Sequence, residues 1–184
     1  MRQFSYLFTV AAMLLGLAVP AGAQSREGVI GDLIRDVTEV EKKMTDLAKA
    51  MPAAAHEWRP AKGVRSTAEV LMHVAADNYF IPAMLGAAAP PGTGITKEYK
   101  TAAAFEKKTV SREALAAELQ KSFAFLKSTL AAVPDAKLND PVEAFGEKHT
   151  TRGMWILAVT HLHEHLGQLI AYARSNNVVP PWSK

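Results

Sequence analysis

The 184-residue chain contains no cysteine. That absence excludes disulfides, a Cys-His nucleophilic pair and a lipid-modified N-terminal cysteine, so stability has to come from packing, with a metal as the remaining aid. No segment sustains the apolar-polar alternation and turn chemistry of a β-strand. There is no internal repeat, and no low-complexity tract beyond alanine-rich helical stretches. The balance of 21 Lys+Arg against 18 Asp+Glu is close to neutral, and the basic residues (Lys42, Lys43, Lys97, Lys100, Lys107, Lys108) are scattered. Nucleic-acid binding calls for a concentrated basic patch or stripe, so that class of partner is not expected.

What is present begins with an export pattern. Arg2 precedes an apolar run from Tyr6 to Val19, and Ala21-Gly22-Ala23 then offers a small-residue cleavage site. Together these form the n-region, h-region and A-x-A-like site of a secretory signal peptide. The run is shorter than the roughly 20 residues of a membrane span, and it lacks a twin-arginine pair. The expectation is a signal peptide over 1–23 and a mature domain over 24–184, periplasmic or secreted, with no membrane attachment after cleavage. That length suits one domain.

The mature region reads as four amphipathic helices. In the first, expected over 29–51, Ile30, Leu33, Val37, Val40, Met44, Leu47 and Met51 step alternately by three and four, the spacing of a bundle seam. Pro52 stops it. Ser66 followed by Glu69 is a capping-box signature that opens the second helix, where Val70, Leu71, Val74 and Ile81 form an apolar arc. This helix fails by Gly86. The stretch 87–110 is a long connection of a kind often functional, with a short helical turn expected at "TAAAFEK". Ser111 caps the third helix, whose face is marked by Leu115, Leu119, Phe123, Leu126 and Leu130. A second connection leads to the fourth, expected over 152–175 with Thr151 as its cap. The fold class is therefore all-α, a four-helix bundle. Its two long connections admit topologies other than simple up-down-up-down.

The fourth helix carries "HLHEHLGQ", residues 161–168. At 100° per residue, His165 falls about 40° from His161, one turn on, whereas His163 falls about 200° away. The apolar arc of Trp155, Ala158, Leu162, Leu166, Leu169, Ile170 and Ala173 spans about 60° to about 180° on the same scale. His161 and His165 flank the core and can reach one ion; His163 points elsewhere. A third ligand has to come from another helix. His56 and His149 lie in polar connections and read as solvated. His73, on the margin of the second helix's apolar arc, is the suspicious one, because a buried imidazole is costly unless its nitrogens find partners. Asp77, one turn after His73, and Glu164, one turn after His161, are candidates to fix an imidazole tautomer or to serve as a weak fourth ligand. Gly167 costs about 1 kcal/mol against alanine in a helix, which suggests a close neighbour.

"WRPAKGVRSTAEVLMH" followed by "HLHEHLGQLIAYAR" resembles the DinB/YfiT-like four-helix superfamily over nearly all of the mature chain. The likeness rests on the tryptophan-proline loop before a histidine-bearing second helix, and on H-x-x-x-H-x-G-Q in the last helix. It implies a divalent metal held by His73, His161 and His165, and gives His163 no counterpart among the ligands. Many members carry a basic residue or another histidine directly before the Gly-Gln, where this chain has Leu166. The family includes cytosolic enzymes that use low-molecular-weight thiols, among them S-transferases and a maleylpyruvate isomerase. An exported member would meet little of those thiols. Bundles of this family often pair, which makes a homodimer an expectation of the resemblance.

Three imidazole ligands with an open position describe a catalytic-type site, suited to zinc, nickel, copper or iron. Such an ion lowers the pKa of bound water, polarises a substrate oxygen or binds a thiolate. The expected function is an exported metal-dependent hydrolase or transferase of a small molecule. The rival from another class is a non-catalytic metal-binding scaffold or sensor of the cell envelope, and the third reading is a structural bundle whose histidines merely hydrogen-bond. A cavity open to solvent favours the enzyme; a site closed by an acidic fourth ligand favours the scaffold.

Overall fold

The computed structural model describes residues 27–183, so the expected leader over 1–23 lies outside the described residues. Four long helices carry the bundle: α1 (Gly28–Ala50), α3 (Thr67–Met84), α5 (Arg112–Ala131) and α6 (Thr151–Ser175). Between them lie two short helices, α2 (Ala53–Glu57) and α4 (Tyr99–Glu106), and a hairpin of β1 (Pro141–Ala144) with β2 (Glu147–Thr150). No described helix is long and apolar enough to cross a membrane.

Side-chain chemistry sets the helix ends. Ser66 accepts from the Glu69 N–H and the Glu69 carboxylate accepts from the Ser66 N–H, which completes the capping box of α3. Ser111 caps α5 as expected. The cap of α6 is Thr150 rather than Thr151: its hydroxyl accepts from the Gly153 N–H at 3.1 Å, and Thr151 is already helical. One guanidinium nitrogen of Arg112 satisfies the carbonyls at the end of α1, donating to Ala48, Lys49 and Met51 at 3.2, 3.0 and 2.8 Å.

The seam of α1 is buried at Ile30, Val37, Val40, Met44 and Leu47, with Met51 buried just beyond the helix; Leu33 is only partly covered. Helix α3 departs from the simple apolar arc. Met72, Ala75, Ala76, Asn78, Tyr79 and Phe80 are buried as well, as befits a helix surrounded by others. It packs on α5, α4, α6 and α2, while α1 packs on α5 and α6. The two helices first in sequence, α1 and α3, therefore stand diagonally, as do α5 and α6. The chain crosses the bundle diagonally from α1 to α3 and again from α5 to α6, and these crossovers bring α3 beside α6, the two helices that carry the candidate ligands.

Two elements were not expected. The hairpin is four residues a strand, with its turn at Phe145 and Gly146, both at positive φ (55° and 78°), as a two-residue hairpin turn requires. It delivers the chain to the start of α6, and its short, largely polar strands carry no sustained alternation. The five-residue α2 buries His56, which is only 6% exposed, contrary to the expectation of a solvated side chain. Its Nε2–H donates to the Ala48 carbonyl at 3.0 Å. His149 is also half-buried rather than solvated, paired across the hairpin with Val142.

Candidate metal centre

Helix α3 presents His73 and α6 presents His161 and His165. One donor atom from each lies within 4.8 Å of the other two. The rings stand edge to face, with centroids 5.2 Å apart for His73–His161, 4.7 Å for His73–His165 and 4.4 Å for His161–His165. The pairing of His161 with His165 follows from their one-turn spacing, and the arrival of His73 follows from the α3–α6 packing. His163 projects outward and meets Asp36 of α1 at 2.9 Å in an exposed pair.

Each imidazole is oriented by a neighbour. Gln168 donates its amide to the Tyr172 hydroxyl at 2.8 Å, so its carbonyl oxygen faces His165 Nδ1, also at 2.8 Å, and must accept. His165 therefore carries its proton on Nδ1 and leaves the Nε2 lone pair free. That Nε2 is sealed from solvent and has no hydrogen-bond partner among the described residues. Burial, with the neighbouring imidazoles of His161 and His73 adding to it, holds the His165 pKa down to about 4, so the ring is neutral.

His73 is held in the same sense. Its Nδ1–H donates to Glu106 Oε1 at 2.8 Å, and the other carboxylate oxygen of Glu106 is paired with Arg65 at 2.8 Å. Burial works to raise the Glu106 carboxyl, but His73 and Arg65 together hold it below the ordinary carboxylate range. The second nitrogen, Nε2 of His73, faces Asp77 Oδ2 at 3.4 Å. The same carboxylate oxygen accepts from His161 Nε2 at 2.8 Å, and this bond outweighs burial to raise the His161 pKa. Asp77 thus stands against two of the three imidazoles, whereas Glu164 is 77% exposed and 3.7 Å from His161 Nδ1. His73, Asp77 and Glu106 form a second, overlapping group whose donor atoms also lie within 4.8 Å of one another.

The tryptophan-proline loop braces this arrangement from outside. Trp58 packs edge-on against Tyr172 with centroids 5.2 Å apart, and the Tyr172 hydroxyl donates to the Arg65 carbonyl at 3.2 Å. Arg59 grips Glu69 at the start of α3 through two bonds of 2.9 and 3.1 Å. Gly167 has no close neighbour, contrary to expectation: it is exposed, and a Cβ built there would meet nothing within 4 Å. Among the supporting residues, sequence reasoning missed Glu106. It lies 33 residues from His73 across a connection, and the only signal was the helical turn expected at "TAAAFEK".

The residues fit a divalent ion. The buried, unpartnered Nε2 of His165 faces two further imidazoles, and the rings of His73 and His165 are fixed in the tautomer that turns Nε2 inward. Solved structures share the fold. YfiT from Bacillus subtilis, described as a probable metal-dependent hydrolase with an unusual four-helix bundle topology, superposes with a TM-score of 0.67 at 18% identity over 85% of this chain and 94% of its own. A DinB-like protein from Bacillus cereus gives 0.63 at 17% identity, covering 83% and 95%. A protein from Exiguobacterium sibiricum described as a putative member of the DinB family gives 0.59 at 27% identity, covering 79% and 89%. No curated protein matches the chain. Residues 37–169, from the seam of α1 to one residue past the histidine motif, match the family model of the DinB superfamily, and the chain belongs to that superfamily.

Proposed function

We propose that the chain is an exported metal-dependent enzyme, a hydrolase or group transferase of a small molecule, and that His73, His161 and His165 are the ligands of one divalent ion. The observation that carries this reading is the Nε2 of His165, buried without a partner and facing two other imidazoles. Leaving such an atom unsatisfied costs about 1–3 kcal/mol, and an ion shared by three rings removes that cost. The donor set suits zinc, nickel or iron, and three protein ligands are the usual complement of a catalytic site. Bound there, a divalent ion supplies Lewis acidity toward a substrate oxygen and toward water.

The chain's own groups account for the rest. Glu106 and Gln168 hold protons on the outer nitrogens of His73 and His165 and so keep the inner lone pairs available. Asp77 Oδ2, already an acceptor at 2.8 Å from His161, is the group placed to take a proton from a nucleophile. The His161 side chain is 25% exposed, which gives solvent and substrate an approach. The likeness to YfiT, a probable metal-dependent hydrolase, weighs toward hydrolysis. Export, supported by the sequence pattern over 1–23, weighs against dependence on cytosolic thiols.

The test uses protein stripped with chelator, reloaded singly with zinc, nickel or iron(II), and assayed on a panel of activated esters, lactones and phosphodiesters. Turnover in one loaded form, lost on stripping and absent from His165→Ala, is expected. Asp77→Asn should keep its metal and lose turnover about 100-fold or more. A second reading rests on Asp77 itself: its carboxylate faces two imidazoles and suits a fourth ligand that closes the site, as a scaffold or sensor would have it. Full loading without turnover on any of the panel, together with weakened metal binding in Asp77→Asn, would replace the enzyme by the scaffold.

A further inference from the structure

A concave site apart from the histidine centre lies between α3, α4, α5 and the 87–110 connection. It is a cavity of about 630 Å³, within the range of small-molecule sites. Its floor is apolar, made by Met72 of α3 and Phe105 of α4, both buried. Ala114 and Ala117, both exposed on α5, form one wall. None of its lining residues is one of the three histidines.

The polar groups at this cavity divide into spent and unspent. Tyr79 donates its hydroxyl to Glu118 Oε1 at 2.8 Å, which occupies the hydroxyl and leaves the carboxylate its charge. Thr93 donates to the Pro90 carbonyl and accepts from the Ile95 N–H. Two ammonium groups are left. Lys108 Nζ sits 4.3 Å from the centre of the Phe105 ring, at the edge of the apolar floor, and Lys121 lines the cavity from α5. Both lysines are exposed, and neither is ion-paired among the described residues.

We infer that this cavity is a binding site for a small amphiphilic monoanion, a free alkyl or aryl carboxylate. Its apolar body lies against Val110, Ala114 and Ala117, above the buried Met72 and Phe105, and its carboxylate meets Lys108 and Lys121. The argument is one of complementarity. The apolar lining left open, Val110 at 41% exposed with Ala114 and Ala117, gains from covering by a hydrocarbon body, and two unpaired cations on the lining favour one negative headgroup. Compact ammonium groups suit a point charge more than a bidentate fork. Glu118, tied to Tyr79, leaves the lining with a net charge that rules in a monoanion and disfavours a cation.

The probe is decanoate, titrated calorimetrically into chelator-treated full-length protein, with decanol as the uncharged control and vesicles of anionic phospholipid as the membrane control. Saturable one-to-one binding of decanoate is expected, at least 10-fold tighter than decanol. It should weaken 10-fold or more in the Lys108→Gln/Lys121→Gln double variant. Ala117→Phe, at an exposed wall position that leaves the core untouched, should abolish it while the thermal transition stays unchanged. His165→Ala should bind decanoate as the parent does, which separates this site from the histidine centre. Equal affinity for decanol, loss of binding in His165→Ala, retention in Ala117→Phe, or binding to vesicles without binding of free decanoate would each overturn the inference.

Discussion

His56 is buried and His165 half-buried against the bundle, each has one sealed and unpartnered ring nitrogen, and both have a lowered pKa with burial as the leading cause. Their surroundings differ. Around His165 stand two more imidazoles within 4.7 Å, centre to centre, and a carboxylate that reaches both of them. Around His56 stand the Ala48 carbonyl and Arg112, whose guanidinium charge repels a cation and adds to the lowering of the pKa. A buried orphan nitrogen therefore does not mark a metal ligand by itself. Convergence of several lone pairs, without a fixed positive charge beside them, is what separates a binding centre from a packed histidine.

The largest stability effect expected at the His56 side comes from its neighbour. Arg112→Ala removes the donor that serves three carbonyls at the end of α1 and should destabilise the fold by about 1–2 kcal/mol, read from the urea midpoint. An unchanged midpoint would mean that water replaces the guanidinium at no cost, and that His56 alone ties α2 to α1.

The titration of His56 gives a smaller effect of defined sign. Its folded pKa lies below the ordinary imidazole value, so the unfolded chain binds the proton first as the pH falls. The neutral ring contributes stability above the unfolded pKa of about 6.5, and that contribution is lost as the pH drops through the folded value. His165 acts in the same direction and His161, with its raised pKa, in the opposite one. The difference between parent and His56→Gln, both in chelator, isolates the one group: the parent should lose more stability between about pH 7 and pH 5. Parallel curves would show that His56 titrates alike in both states and break the likeness to His165.

The four long helices were legible because each carries a three-four apolar step or a cap, as in the Ile30-to-Met51 series and the Ser66–Glu69 box. The pairing of His161 with His165 was legible because helix geometry alone puts residues four apart on one face. The choice of His73 required a partner helix, and the α3–α6 packing places it beside His161 and His165. What stayed hidden depended on contacts distant in sequence or on elements too short to show a period. Glu106 meets His73 across 33 residues. His56 is buried by a five-residue helix, and the hairpin strands are four residues each. The glycine of the histidine motif was misread as a packing requirement. Gly167→Ala, with open space around the added methyl, should raise stability by up to about 1 kcal/mol. A loss in the thermal transition would restore a packing role for it.

Elemental analysis of protein purified from its natural compartment, run beside His165→Gln and His56→Gln, tests the contrast between the two histidines most directly. About one divalent ion per chain is predicted in the parent and in His56→Gln, with less than a tenth of that in His165→Gln. Equal metal in all three proteins, or none in the parent, would contradict the assignment of the three-histidine centre.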